Sequence, residues 1–534
     1  VMRQWSGISS RSIVAELWPL YLVSNDQPRV GILWCSQDPL NMAAAAMHRF
    51  ACAMPPRRFD ISQDFLDFAK LFIRKEFPRL RGDEDLSLVS WLNGTDYPEW
   101  KRKQIRMATE KNTVMQGRAL RYKSFIKWEA YTEYKYPRGI NGPSDLNKGL
   151  TGPTAHAIDE AVFGLPYFVK HTRSDMRPAL LNETFGRRPV FGTDFSSMEA
   201  HHFGVFCELS RFWQEWVIND HPGACNYLRV FDAISRLTNV SEFKFCTARV
   251  HQRLMSGKMT TSSENGVLNL LLLKYLNLRT RFPDVSVEAL YDQHRSFCVL
   301  VEGDDGIGDE FQPSQRLVDG LGLKLKIDHY RDYTEASFCG VVSAGDINVT
   351  DPIKFLLKFP LIPQRYVDAK VADKMSLLRA KALSSYFMYK DVPVIGPFSR
   401  WVLDNTRSFD ARKFAAYDSY KKDLVDAALK SKIWRLKPNI SSCAREVVQR
   451  LYGLPVAAQL ELERSMFGPL HPLESPVTLP KDVCHFSDLS VSGDEITDVV
   501  PRPFIPIQLA PLITGGTIGT RTARRQPLAL YPTL

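Results

Sequence analysis

The stretch Phe297-Cys-Val-Leu-Val-Glu302-Gly303-Asp304-Asp305-Gly306-Ile-Gly-Asp309 runs from apolar residues into two adjacent carboxylates and out through a short apolar step. Asp-Gly at a tight turn between apolar runs signals a β-hairpin, because glycine tolerates positive φ. Two neighbouring carboxylates at such a tip repel unless they are solvated or bridged by a cation. A surface β-turn explains the stretch equally well when it is taken alone. At average composition a Gly-Asp-Asp tripeptide arises in a chain of this length on the order of one time in ten. The surrounding sequence therefore has to decide.

Upstream, Pro189-Val-Phe-Gly-Thr-Asp194-Phe-Ser-Ser-Met-Glu199 reads as an apolar strand ending in an acid, with a second acid five residues later. A strand-end carboxylate beside the hairpin tip would make Asp194, Asp304 and Asp305 oxygen ligands for hard cations. Mg²⁺ suits a few carboxylates plus substrate phosphates, with Mn²⁺ as a substitute. Between the two segments lies Ser256-Gly257-Lys-Met-Thr-Thr261-Ser-Ser-Glu-Asn265-Gly, followed by a leucine-rich run. A Ser-Gly loop opening a helix would place Thr261 and Asn265, four residues apart, on one face. Two small polar groups there suit a sugar hydroxyl, although an N-capped helix accounts for the same residues.

Composition frames these motifs. The chain has 534 residues, with 44% hydrophobic and 24% charged, and Lys plus Arg number 69 against 59 Asp plus Glu, a net charge of +10. Such a chain holds several subdomains around a large core, and its charge suits a polyanionic partner. The nine cysteines are odd in number and never form C-x-x-C, which argues against a disulfide framework and for a reducing compartment. No stretch reaches the length of a membrane span, and the apolar run Ser12–Ser24 carries Glu16 and Pro19, unlike a secretory signal. The start at Val1 leaves a membrane address on a preceding segment open. Lys111–Arg138 holds seven basic residues against Glu129 and Glu133, and residues 411–450 hold ten against four. Either segment fits an RNA-facing surface or a solvated face. Seven prolines from Pro480 onward mark the tail as an extended arm.

Together these motifs resemble the palm motifs of viral RNA-dependent RNA polymerases. Asp194-x₄-Glu199 is similar to motif A, Ser256-Gly257-x₃-Thr261-x₃-Asn265 to motif B, and Gly303-Asp304-Asp305 to motif C, in the usual order. Lys127-Trp-Glu129 with Lys135-Tyr-Pro-Arg138-Gly-Ile140 resembles motif F of the fingers. Leu321-Gly-Leu-Lys324-Leu-Lys326-Ile resembles motif D and Ser337-Phe-Cys339-Gly340 motif E. The combination is most similar to the tombusvirus-like and noda-like group of positive-strand RNA viruses, and it covers roughly residues 110–360. One departure stands out: Glu199 occupies the place where the family usually has Asp.

The resemblance implies an α+β right-hand polymerase, with an antiparallel palm sheet, fingers and thumb, closed by fingertips. The implied divisions are an N-terminal region and fingers over 1–188 (motif F about 123–140) and a palm over 189–360 with a fingers insertion about 205–255. A helical thumb over 361–475 and a Pro-rich tail over 476–534 complete the chain. It also implies a 3′-hydroxyl attacking the α-phosphate of an NTP, with Asp194, Asp304 and Asp305 holding two divalent cations. Lys127, Lys135 and Arg138 would contact the NTP phosphates. Glu199, Ser256, Gly257, Thr261 and Asn265 would surround the ribose, Glu199 reaching Asn265. Lys324 or Lys326, only one facing the site, would be the general acid. Glu302 is expected on the opposite strand face, solvated. Arg187 and Arg188 would touch nucleotide or RNA, or solvate the strand entry. His201, His202, Cys207, His221 and Cys225 fit no common zinc spacing, which favours core packing. The implied partners are template and product RNA, NTPs and other viral replication or capsid proteins. The implied setting is the host cytoplasm, in a replication complex or virion. Reverse transcription and a non-catalytic RNA-binding scaffold are the competing classes. Gly303 and the Thr261/Asn265 pair argue against the first, and three retained acids against the second.

Overall fold

The computed structural model describes residues 39–52, 62–111, 121–127, 136–195, 197–202, 204–236, 238–251, 253–345, 347–359, 369–414 and 419–465, with short strands at 22–24, 27–29, 32–33, 130–131 and 496–501. Helix α1 (Pro39–Ala46) runs into a π-helical turn, Met47–Cys52, and α2 (Ser62–Glu76) and α3 (Glu99–Glu110) follow. Strands β1 (Arg121–Ile126) and β2 (Gly139–Pro143) precede α4 (Asp145–Phe163) and α5 (Arg177–Phe185). Next come β3 (Val190–Phe195), α6 (Met198–His201), α7 (Val205–Ile218), α8 (Cys225–Arg236), β4 (Thr238–Glu242) and β5 (Cys246–His251). Helix α9 (Thr261–Arg281) leads to β6 (Val299–Glu302), β7 (Asp305–Asp309) and β8 (Leu325–Tyr330). A small meander, β9 (Ser337–Phe338), β10 (Val341–Ala344) and β11 (Ile347–Val349), precedes the helices α10 (Val371–Tyr389), α11 (Ile395–Asn405), α12 (Ser419–Ser431), α13 (Ser442–Tyr452) and α14 (Val456–Ser465). Strand β12 (Ile496–Pro501) comes last.

The central sheet is antiparallel, in the order β6-β7-β3-β8. Its middle strand, Val190-Phe-Gly-Thr-Asp-Phe195, is buried along its length and comes out only at Asp194. Both faces are covered. Phe191, Phe195, Val299 and Val301 pack with the leucines of α9, and Val190, Leu300 and Ile307 pack with Tyr333 and Phe338 on the other side. Helix α9 is enclosed by protein on every side from Ser263 to Arg279; Val267, Leu270, Leu271 and Leu273 have no exposure, and the polar residues Asn265, Asn269, Lys274 and Asn277 are buried with them.

A second sheet has the order β12-β5-β4-β1-β2, parallel only between β4 and β1. It joins residues that precede the central sheet to residues 238–251, which follow β3 in the chain, and α1 packs on it through Ala43, Ala44 and Ala45. The tail reads from its prolines as an extended arm, yet Ile496–Pro501 pairs with β5. Its β-branched run suits a strand. The C-terminal helices share their own core around Leu377, Leu383, Phe398 and Val402. Lys422 on α12 bonds Asp96 at 3.2 Å, so the C-terminal helices touch the segment before α3. Among the described residues no helix is long and apolar enough to cross a membrane.

Candidate active site

The hairpin is closed by the Glu302–Asp305 pair, so Gly303 and Asp304 are the two central turn residues. Gly303 has φ +62°, the left-handed conformation that a two-residue hairpin turn demands and glycine adopts at least cost. Asp305-Gly306, the dipeptide that signals the turn in sequence, instead opens β7. Gly306 serves close packing: a Cβ there would lie 2.6 Å from Thr193 Oγ1 and 2.9 Å from Leu273 Cδ1.

Register brings the acids together. Gly306 pairs with Thr193 on β3, so one step further along both strands Asp305 stands beside Asp194. Neighbouring strands lie about 4.8 Å apart. Asp194 is exposed, while Asp304 and Asp305 are half-buried. Burial pushes the Asp305 carboxyl up to about 7, and the charges of Asp304, Asp194 and Glu302 push the same way, with Arg177 opposing. Carboxylates crowded so that one resists ionisation, with only oxygen donors present, are chemically matched to a hard divalent cation. As they stand, no three His, Cys, Asp or Glu side chains among the described residues are gathered around one metal position.

Glu302 differs from expectation. Paired with Asp305, it shares that residue's face of the sheet and is not solvated. Arg177 bonds it at 2.5 Å, Lys170 lies 3.5 Å away, and Cys339 Sγ donates to it at 3.3 Å. Arg187 and Arg188 lie at the opposite end of β3 from Asp194. They pair with Asp332 at 3.1 Å and Asp309 at 2.9 Å, and so do not reach the acid cluster. Val190 and Asp194 are four residue steps apart along the strand, about 13 Å.

Strand alternation does not choose between Lys324 and Lys326, since residues two apart share a face. The strand boundary separates them instead. Lys324 lies just before β8, whereas Lys326 is in register with Asp194. The Lys326 ammonium bonds Asp328 at 2.7 Å, which raises its pKa above the usual lysine value. The Lys324 backbone N–H donates to His201 Nε2 at 3.0 Å, and burial pushes His201 down to about 4, keeping the ring neutral.

The loop before α9 is tied to the second sheet, where the Asn141 N–H donates to Ser256 O at 2.7 Å. Gly257 has φ +109°, and a Cβ there would sit 2.5 Å from Asn141 O. The Gly257 N–H donates to Thr261 Oγ1 at 3.1 Å, and that hydroxyl donates to Lys258 O at 2.8 Å. Thr261 thus shapes the loop. Lys258 forms a buried ion pair with Glu264 at 2.5 Å.

Glu199 and Asn265 do not bond each other. Arg49, from the π-helical turn, takes the buried Glu199 at 2.5 Å, and His202 Nε2 meets Asn265 Oδ1 at 3.0 Å. Each already has a partner, so the expected reach across does not form. Lys127 and Arg138 end the β1–β2 ladder, joined by the Lys127 N–H to Arg138 O bond at 2.7 Å. Arg138 is exposed and Lys127 half-buried; Lys135 lies outside the described residues.

Three residues at the site have no role in the sequence reading. Arg49 and Arg177 carry no local signal, because their partners lie far along the chain. Asn269 does carry one: a polar residue within a leucine run, fully buried. Its Nδ2 lies 3.2, 3.2 and 3.1 Å from the carbonyl oxygens of Gly303, Asp304 and Asp305.

This architecture sets helices and sheets around the hairpin that carries Asp304 and Asp305. The chain is similar to the crystal structure of an insertion-loop deletion mutant of the RNA-dependent RNA polymerase of a human picobirnavirus, with a TM-score of 0.50 over 79% of this chain and 86% of that one, at 13% identity. No protein-family model and no curated protein matches the sequence.

Proposed function

We propose that the chain is an RNA-directed RNA polymerase, adding nucleotides from NTPs to an RNA 3′-hydroxyl on an RNA template. The observation that carries this is the register placing Asp194 beside the Gly303-Asp304-Asp305 turn. The fold shared with a viral polymerase supports it. In this reading the central sheet is the palm, the second sheet belongs to the fingers and α10 to α14 form the thumb. The Lys422–Asp96 bond is one point at which the hand closes. The motif F, Gly-Leu-Lys-Leu-Lys and Phe-Cys-Gly segments favour the tombusvirus-like and noda-like group. The setting would be a replication complex or virion in the host cytoplasm, with template and product RNA as partners.

Asp194, Asp304 and Asp305 would hold divalent cations, Mg²⁺ or Mn²⁺, which make the attacking hydroxyl more nucleophilic and offset charge on the leaving pyrophosphate. Little covalent chemistry falls to the side chains, so positioning and neutralisation carry the rate. The guanidinium of Arg138 suits two phosphate oxygens at once, and Lys127 and Lys135 add point charge. Lys326, charged and level with Asp194, is better placed than Lys324 to give a proton to pyrophosphate. The Ser256-Gly257 loop and Asn265 form the ribose side, with Glu199 bound to Arg49 rather than free to read the 2′-hydroxyl. Of the basic residues in 411–450 whose side chains are described, Lys413, Lys422, Arg445 and Arg450 are ion-paired, and Arg412, Lys430, Lys432, Arg435 and Lys437 are the exposed charge for RNA.

Primer extension on a homopolymer template, with NTPs or dNTPs and with or without Mg²⁺, tests the reading. The expected result is template-dependent NTP incorporation that requires the cation. Asp304→Asn should abolish it while template affinity stays nearly unchanged. Equal activity in variant and parent would dismiss the assignment.

A further inference from the structure

The hairpin turn lies flush on α9, and two glycines allow it. A Cβ on Gly266 would meet Phe168 at 2.9 Å and Gly303 N at 3.5 Å, and one on Gly306 would meet Leu273 at 2.9 Å and Asn269 Nδ2 at 3.4 Å. Between these contacts Asn269 faces three successive carbonyls of the turn, at 3.2, 3.2 and 3.1 Å. An amide nitrogen has two hydrogens, so three acceptors at this range share them. The opposite amide orientation would aim oxygen at three oxygens, which fixes the assignment chemically. Asn269 Oδ1 has no hydrogen-bond partner among the described residues. A leucine, like its neighbours Leu268 and Leu270, would bury no such unpaired atom. The asparagine is thus a poorer core residue than its surroundings call for, and its one evident return is the grip on the turn.

We propose that Asn269 is a positioning residue that locks the peptide planes of Gly303, Asp304 and Asp305 against α9, holding both carboxylates at their stations against mutual repulsion. This rests on the reading of that turn as part of a nucleotidyl-transfer site. The peptide planes set the Cα–Cβ directions of Asp304 and Asp305, so a turn released from the helix lets the two acids splay. Nothing in Asn269 touches the reacting atoms; it acts through the backbone of the residues that do.

The test uses the full chain carrying Asn269→Leu, which suits the apolar surroundings, with Asn277→Leu as the matched control. Asn277 is a second buried asparagine on α9 with an unpaired Oδ1, two helical turns from the hairpin contact. Single-nucleotide incorporation should show kcat falling about 100-fold in Asn269→Leu with KM for NTP little changed. Mn²⁺ titration followed by electron paramagnetic resonance should show cation affinity falling about tenfold. Asn277→Leu should leave both at the parental value. The proposal is overturned if folded Asn269→Leu keeps parental kcat and Mn²⁺ affinity, or if Asn277→Leu loses as much. Should Asn269→Leu fail to fold, Asn269→Ser, too short to span the carbonyls, is read by the same two measurements. A parent chain that binds Mn²⁺ through Asp304 but incorporates no nucleotide would sink the polymerase reading, while the Mn²⁺ comparison would still decide the role of Asn269.

Discussion

The two ends of β3 have opposite charge economies. At its entry, Arg187 and Arg188 are matched by Asp332 and Asp309. At its exit, Asp194 meets Asp305, with Asp304 and Glu302 adding their charges and Arg177 opposing. Folding alone would balance both ends. The excess negative charge at the exit, beside the turn that Asn269 contacts, is what the proposed cation-holding role would require.

The largest effect is expected at the exit of β3. Asp304→Asn is expected to lower Mg²⁺-dependent incorporation by about 1,000-fold or more, measured by primer extension. The shared core between the two ends comes next. Phe191→Ala, which empties a fully buried site under α9, should cost about 3–5 kcal/mol in denaturant unfolding.

A smaller effect follows from the burial of Asp305 and the charges crowded around it. The folded-state pKa of Asp305, about 7, lies above that of an unfolded aspartate, so the unfolded chain loses its proton first as pH rises. Asp305 therefore costs stability progressively between about pH 4 and 7. In cation-free buffer Asp305→Asn should raise Tm by a few degrees at pH 7.5, with the gain shrinking toward pH 4. A Tm difference independent of pH would show that Asp305 ionises in the folded chain as it does in the unfolded one. The smallest effect belongs to the entry. Arg187→Ala, at an exposed pair, should change stability by less than about 1 kcal/mol and leave incorporation intact. A large loss of activity there would erase the contrast between the two ends.

Much of this arrangement was legible from local spacing. The apolar run into Gly303-Asp304-Asp305 specified a hairpin, the strand ending at Asp194 specified its neighbour, and the leucine run after Asn265 specified a buried helix. What spacing did not supply was partnership. Glu199 and Asn265 are placed to meet in sequence, but Arg49 and His202 reach them from elsewhere in the chain. Glu302 reads as a solvated residue until Arg177, 125 residues away in the chain, closes on it. Lys324 and Lys326 look equivalent until the strand boundary falls between them. Strand β12 was hidden by the prolines around it, because pairing with β5 is decided by the edge available and not by composition.

The parallel contact between β1 and β4 has a consequence for synthesis. Arg121 and Glu242, ion-paired across that contact, are separated by 121 positions in the chain. Strand β1 leaves the ribosome long before its neighbour exists, and at about 5–20 residues per second it waits roughly 6–24 seconds with an unpaired edge. A nascent chain stalled in that interval would be the species most exposed to aggregation and most dependent on chaperones.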